Sequence, residues 1–287
     1  MSFITQLSPA ALVAVVGILG LLVGSFLNVV ILRLPARLEH AWRSEAREAL
    51  QLQADDGVSP PDLVREPSHC PQCKHALAAH DNIPLLSWLL LRGRCRYCRS
   101  AISIQYPLVE LATALLSAAI AWRFGASAQT LAGLLLTWAL VALTGIDLRT
   151  QLLPDSITLP LLWLGLLLAL GHVFISAPQA ILGAALSYLS LWSVYWLFKL
   201  ATGKEGMGYG DFKLLAALGA WMGAGALLPI VLISSLVGAV IGSAMLVLHG
   251  RDRSIPIAFG PYLAAAGWIW FVAGDTLLHA YLTLFVR

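Results

Sequence analysis

The chain has 287 residues, of which 59% are hydrophobic and only 11% charged, and its mean hydropathy is +0.81. A soluble domain carries roughly 25% charged residues, so a soluble protein of this size is excluded, and the high hydrophobicity excludes a disordered chain. The net charge is only +3, but residues 33–104 hold ten of the eighteen Lys and Arg and all four Cys, which marks one polar, basic insert in a multi-span membrane protein.

A hydrocarbon core of ~30 Å is crossed by about 20 apolar residues in a helix. That ruler predicts an all-α polytopic fold with about eight transmembrane helices: 9–32, 105–122, 129–146, 157–175, 180–199, 211–223, 227–248 and 261–284. The apolar runs are continuous rather than alternating, so barrel strands are excluded. The expected organisation is a first span (1–32), a cytoplasmic insert (33–104) and a seven-span bundle (105–287). No Lys or Arg precedes Arg33, so the first span lacks the basic start of a cleaved signal peptide. Gly17, Gly20 and Gly24 form a stripe of small residues suited to close helix packing, as do Gly238 and Gly242 in the seventh span.

In the insert, residues 36–66 alternate Arg, Glu and Asp with Ala and Leu, then reach Gly57-Val-Ser-Pro-Pro61. A solvated amphipathic helix and a loose linker are expected there, without chemistry. Cys70-Pro-Gln-Cys73 and Cys95-Arg-Tyr-Cys98 follow, separated by 21 residues. Two such pairs supply four thiolates to a tetrahedral Zn²⁺, and an all-thiolate site is closed and therefore structural. The alternatives are two disulfides or two redox pairs, which a reducing cytoplasm disfavours. His69, His75 and His80 lie nearby, but four thiolates already complete the site.

Acids in or near spans are expensive and are functional candidates. Glu110 falls in the second span, Asp147 at the end of the third, Asp155 before the fourth, Asp211 at the start of the sixth and Asp275 in the eighth. Asp155 follows Leu153-Pro154 and is expected to cap helix N–H groups. Glu110 and Asp275 read as structural. Asp147 and Asp211 fall at the same ends of two spans. Asp211 follows Gly206-Met-Gly-Tyr-Gly210, where three glycines are expected to supply positive φ and close approach to another chain. Two neighbouring carboxylates share a proton, which gives one base to activate water and one acid to polarise a carbonyl. The sixth span is short, and is expected to lie partly inside the bundle.

The first basic residues follow the first span, so the positive-inside rule puts the N-terminus outside. Threading eight spans then places sixteen of the eighteen Lys and Arg inside, leaving Arg123 and Arg287 outside. The insert becomes cytoplasmic and both termini lie outside.

The chain closely resembles the type IV prepilin peptidases, bifunctional leader peptidases and N-methyltransferases of the GxGD aspartyl type. The resemblance rests on Gly24-Ser-Phe-Leu-Asn-Val-Val30 with Arg33-Leu-Pro35, on Cys70-Pro-Gln-Cys73, and on Asp81-Asn-Ile-Pro-Leu-Leu-Ser-Trp88. It continues through Arg92-Gly-Arg-Cys95, Tyr106-Pro-Leu-Val-Glu110, Ile146-Asp147, Leu153-Pro-Asp155 and Glu205-Gly-Met-Gly-Tyr-Gly-Asp-Phe-Lys213. Gln105 departs from the family's usual Arg at that place. The resemblance implies catalysis by Asp147 and Asp211, with Gly208, Gly210 and Glu205 supporting the substrate or loop. It implies a bacterial inner-membrane location, an active site at the cytoplasmic face, and prepilin or pseudopilin substrates. It also implies methyl transfer from S-adenosylmethionine to the new N-terminus. No Gly-rich strand–turn–helix pattern for that donor is visible. The residues expected near it are Asp81, Asn82, Arg92, Arg94 and Glu110. Membrane lipid is an expected partner and nucleic acid is not. The rival readings are a peptidase without methylation, a transporter with buried carboxylates as proton relays, and an assembly factor docking through its zinc insert.

Overall fold

A computed structural model describes residues 8–52, 59–249 and 258–285. Part of the Gly57 linker, and Arg251, Arg253 and Arg287 of the charge count, lie outside the described residues. The elements are α1 (Pro9–Ala49), α2 (Leu86–Leu90), α3 (Gln105–Phe124), α4 (Ala128–Thr150), α5 (Asp155–Leu170), α6 (Ala177–Thr202), α7 (Tyr209–Met222), α8 (Leu227–His249) and α9 (Gly260–Phe285), with 3₁₀ turns at Ala79–Asn82 and Ala224–Ala226. Among the described residues there is no strand, only two isolated bridges. Each of the eight apolar stretches falls on a helix. Five helices are long and apolar enough to cross a membrane, and α5 is a shorter apolar one. The protein is an integral membrane protein of the all-α class.

The chain divides into two compact units, Met1–Ala142 and Leu143–Arg287, and α4 runs through the division. In the first unit α1 packs along α3. The glycine stripe explains how: a Cβ on Gly20 would lie 2.8 Å from Ala114 Cα, and one on Gly24 2.7 Å from Glu110 Cα. Only glycine lets the two backbones come so close. The outward side of α1 carries Val15, Ile18, Leu22 and Phe26, all exposed. The buried side combines Gly20, Gly24 and Asn28 with Leu12, Val16, Leu27 and Ile31, so apolar side chains lie on both sides of the helix, as in a membrane span.

Helix α1 does not stop at residue 32 but continues to Ala49, through Pro35. Beyond it the linker is tied back. Arg33 donates to the carbonyls of Asp62, Glu66 and Pro67, and Arg37 to those of Pro60 and Pro61. Residues 60–67 are thus held on α1, where the sequence suggested a loose linker.

In the second unit α7 is the central helix and packs against α5, α6 and α9. Asp211, Phe212 and every residue from Leu214 to Trp221 are buried, in keeping with the interior position expected for this short segment. Helix α6 meets it through Ala180, Gly183 and Ser187, while Leu182, Leu186, Leu189 and Leu197 are exposed. Trp221 fits over Gly165 of α5 and donates its indole N–H to Leu161 O at 2.9 Å.

Candidate active site and metal centre

The two cysteine pairs fold as matching knuckles. In the first, Cys70 N–H donates to His75 O and Lys74 N–H to Cys70 O. In the second, Cys95 N–H donates to Ser100 O and Arg99 N–H to Cys95 O. Lys74 and Arg99 both take left-handed φ, +58° and +63°, so the repeat of 25 positions extends to the backbone. The cysteines form no disulfide. One ligand sulfur from each of the four lies within 4.8 Å of every other. Cys70 and Cys98 are 3.8 Å apart, close to the edge of about 3.8 Å that follows from four thiolates at ~2.3 Å from a tetrahedral ion. The Cys73 backbone N–H draws the Cys70 thiol down to about 6, against the effect of burial, and the Ser100 hydroxyl lowers Cys98. Cys73 moves the other way: against the His75 backbone N–H, burial and the neighbouring Cys70, Cys98 and Cys95 sulfurs push it up to about 11. It is therefore the convergence of the four sulfurs rather than their titration that suits a metal ion. His75 stacks on Tyr97 at 3.6 Å and is not part of the cluster.

Beside the knuckles, Asp81 is buried and held by Arg96, whose Nε and Nη2 reach Oδ1 at 2.8 and 2.6 Å. The guanidinium keeps the Asp81 carboxyl below the usual carboxylate range, against the effect of burial. Glu110, buried on α3, accepts from Leu85 N–H at 2.8 Å. Leu85 sits at φ +59°, and Leu86 N–H closes onto Pro84 O at 2.6 Å, a strained γ-turn. Asp81, Asn82 and Glu110 line one cavity of about 310 Å³. Arg92 and Arg94 are exposed and do not line it. Gln105 opens α3, its N–H on the Ser103 hydroxyl.

In the second unit, Asp147 is 4% exposed at the end of α4, and Asp211 is 8% exposed at the start of α7. Their carboxylates are near enough to feel each other's charge. Asp147 Oδ2 accepts from Gly260 N–H at 3.0 Å. Leu153 packs between two glycines: a Cβ on Gly210 would lie 2.7 Å from Leu153 Cβ, and one on Gly260 3.1 Å from both Leu153 methyls. The end of α4, the α4–α5 link, the start of α7 and the start of α9 therefore converge.

Two expectations need correction. The glycines before Asp211 do not take positive φ; among the described residues only Gly93, Gly125, Gly203 and Gly223 do. Gly206 and Gly210 are required for space instead, the former because a Cβ would meet the Phe198 ring at 2.9 Å. Gly208 is the N-cap of α7, in extended conformation. Asp155 is not a cap, since α5 has no side-chain capping bond. It pairs with Lys213, both oxygens at 2.7 Å. Glu205 is exposed and bridges to Lys199 at 2.8 Å, which lowers its carboxyl below the usual range.

Sequence reasoning missed Gly260, and named Leu153 and Asn28 only as members of motifs, without a role of their own. Gly260-Pro261 opens the last helix, and a Gly-Pro pair was the only signal. Asn28, a polar residue inside an apolar span, was itself a signal.

Residues 18–124 match the model of the bacterial peptidase A24 N-terminal domain, and residues 134–243 that of the type IV leader peptidase family. Among similar proteins, the prepilin leader peptidase/N-methyltransferase of Xanthomonas campestris pv. campestris is 57% identical over 98% of both chains. That of Stutzerimonas stutzeri is 55% identical over 96% of this chain and 95% of its own. That of Neisseria gonorrhoeae is 50% identical over 98% and 96%. No solved structure matches the chain.

Proposed function

We propose a two-step activity from one premise: the chain belongs to the type IV leader peptidase family. It cleaves the leader from prepilins or pseudopilins and then methylates the exposed N-terminus. The observation that carries the peptidase reading is the meeting of two buried acids, Asp147 and Asp211, from different helices. One carboxylate takes a proton from water as the water attacks the scissile carbonyl. The other donates its proton to the carbonyl oxygen; as the C–N bond breaks, the first passes the proton it took from water to the leaving amine, and the second recovers a proton from the diol hydroxyl. Gly260 holds Asp147 Oδ2, which leaves Oδ1 to face water. Gly208 and Gly210 keep the approach to Asp211 free of side chains. The substrate's apolar helix lies in the bilayer alongside α5–α7.

In this reading the protein sits in the bacterial inner membrane, crossing about eight times, with the active site at the cytoplasmic face and both termini periplasmic. It divides functionally into the first span (1–32), the insert (33–104) and the bundle (105–287). Glu205 is a weaker steering group for a basic leader than an unpaired acid, because Lys199 already compensates it.

Cys70, Cys73, Cys95 and Cys98 hold a structural Zn²⁺ that fixes the insert. S-adenosylmethionine supplies an electrophilic methyl group on a sulfonium. Asp81 and Asn82 of the insert and Glu110 of α3 belong to its neighbourhood, whereas the exposed Arg92 and Arg94 contribute charge only from outside the cavity. Mass spectrometry of the product N-terminus after co-expression with a prepilin tests both steps. A shortened, singly methylated product is expected. An uncleaved prepilin defeats the reading, and a cleaved but unmethylated product limits it to the peptidase.

A further inference from the structure

The cavity of about 310 Å³ in the first unit falls within the size range of small-ligand sites, roughly 300–1,000 Å³. Its surface is mainly apolar and includes Trp88 and Tyr106, but polar and charged side chains line it too, Arg33, Lys74, Asn82 and Ser87 among them. Another is Asn28 of α1, only 2% exposed. Its Nδ2 donates to Gly24 O at 3.3 Å and to Tyr106 O at 3.1 Å. Those two carbonyls set the amide's orientation, because a flip would turn Oδ1 against two oxygens. Oδ1 is left buried with no hydrogen-bond partner, a costly arrangement unless a donor arrives.

Glu110 stands in the same wall. Its partners are the Leu85 N–H and the Ser25 hydroxyl, and no cation is among them. A buried carboxylate with only neutral partners favours a positive ligand. The other acid of the wall, Asp81, is already taken by Arg96. The cavity thus offers one free acceptor and one uncompensated acid within apolar and aromatic surroundings. A ligand that suits it carries N–H donors, positive charge and a flat ring.

We propose that this cavity is the binding site of the methyl donor, S-adenosylmethionine, with Asn28 Oδ1 and the Glu110 carboxylate receiving its ammonium and sulfonium groups. This rests on the methyltransferase half of the reading above. The adenine lies against the Trp88 side of the wall. Lys74, exposed and also in the lining, meets the donor's carboxylate.

The test uses the purified full-length protein with S-adenosylmethionine. Calorimetric titration is expected to show a Kd at least tenfold weaker in Asn28→Leu and in Glu110→Gln, the latter keeping an acceptor for Leu85 N–H. Ser87→Phe, which fills the cavity, is expected to lose donor binding while keeping its metal and its prepilin cleavage. Photo-cross-linking of methyl-labelled donor to the parent needs no variant to fold, and labelled peptides are expected from residues 25–33 or 68–110. Unchanged Kd in both Glu110→Gln and Ser87→Phe overturns the proposal, as does labelling confined to residues 143–287 in a protein that methylates. A parent that neither binds donor nor methylates overturns the methyltransferase reading itself.

Discussion

Gly260→Ala is the sharpest perturbation of the aspartate site that leaves both acids in place. Its Cβ would lie 2.7 Å from Asp147 Oδ2 and 3.1 Å from both methyls of Leu153. The first contact is too short to persist, so either the carboxylate or the α9 start moves, and the 3.0 Å bond from Gly260 N–H is lost. A hydrogen bond to a charged group contributes about 1.5–3 kcal/mol. If it positions Asp147 in the transition state, cleavage slows about 10- to 150-fold. The assay compares cleavage of a prepilin with methylation of an already shortened pilin by the same preparation. Cleavage is expected to fall and methylation to hold, which a general folding defect would not produce. Adding Leu153→Ala relieves the 3.1 Å crowding but not the conflict with Asp147. Wild-type cleavage by Gly260→Ala, or full recovery in the double variant, would refute the positioning role.

Asp147→Asn and Asp211→Asn are each expected to abolish cleavage, and the double variant to be no worse, because the pair acts as a unit. Asp155→Asn is expected to keep substantial cleavage, since its exposed pair with Lys213 contributes at most about 1 kcal/mol. Elemental analysis should find about one zinc per chain, reduced when any of the four cysteines is changed to Ser. Arg96 holds Asp81 below its usual range, so the stability from this pair is fully present above the unfolded value of about 3.9. It is lost as pH falls through the lower folded value. Limited proteolysis of the insert should therefore separate Asp81→Asn from the parent at pH 7, with the gap closing only below about pH 4; a gap that closes at pH 6 would contradict the pairing.

The readable features were those with a local repeat. Continuous apolar runs marked helix positions, glycine spacing marked a close-packing face on α1, and paired cysteines marked the knuckles. Unread features joined distant positions through groups that every residue carries. Arg33 and Arg37 tie the linker through backbone carbonyls some thirty positions away, and a carbonyl leaves no mark in a sequence. The Gly260 N–H reaches Asp147 across 113 positions. Of the two properties expected of the glycines before Asp211, positive φ is not used. Their spacing was informative, but only packing reveals that Gly206 and Gly210 are needed for the space they leave to Phe198 and Leu153.

The choice between Asp147 and Asp155 shows where residue-level reasoning ends. They are eight positions apart, Asp147 near the end of one apolar helix and Asp155 at the start of the next. Resemblance to the family separated them, and the structure supplies a physical basis. Asp155 is half exposed and both its oxygens accept from Lys213, so it already has its countercharge. Asp147 is buried, has one oxygen on a neutral N–H, and shows no cation among its described partners. A buried acid in a membrane protein without a countercharge is expensive unless its proton is used. The same logic identifies Glu110 in the other unit, another buried acid held by neutral groups. On the function proposed above, the acids that act directly are the uncompensated ones, while the ion pairs of Asp81, Asp155 and Glu205 help to hold loops and helices in place.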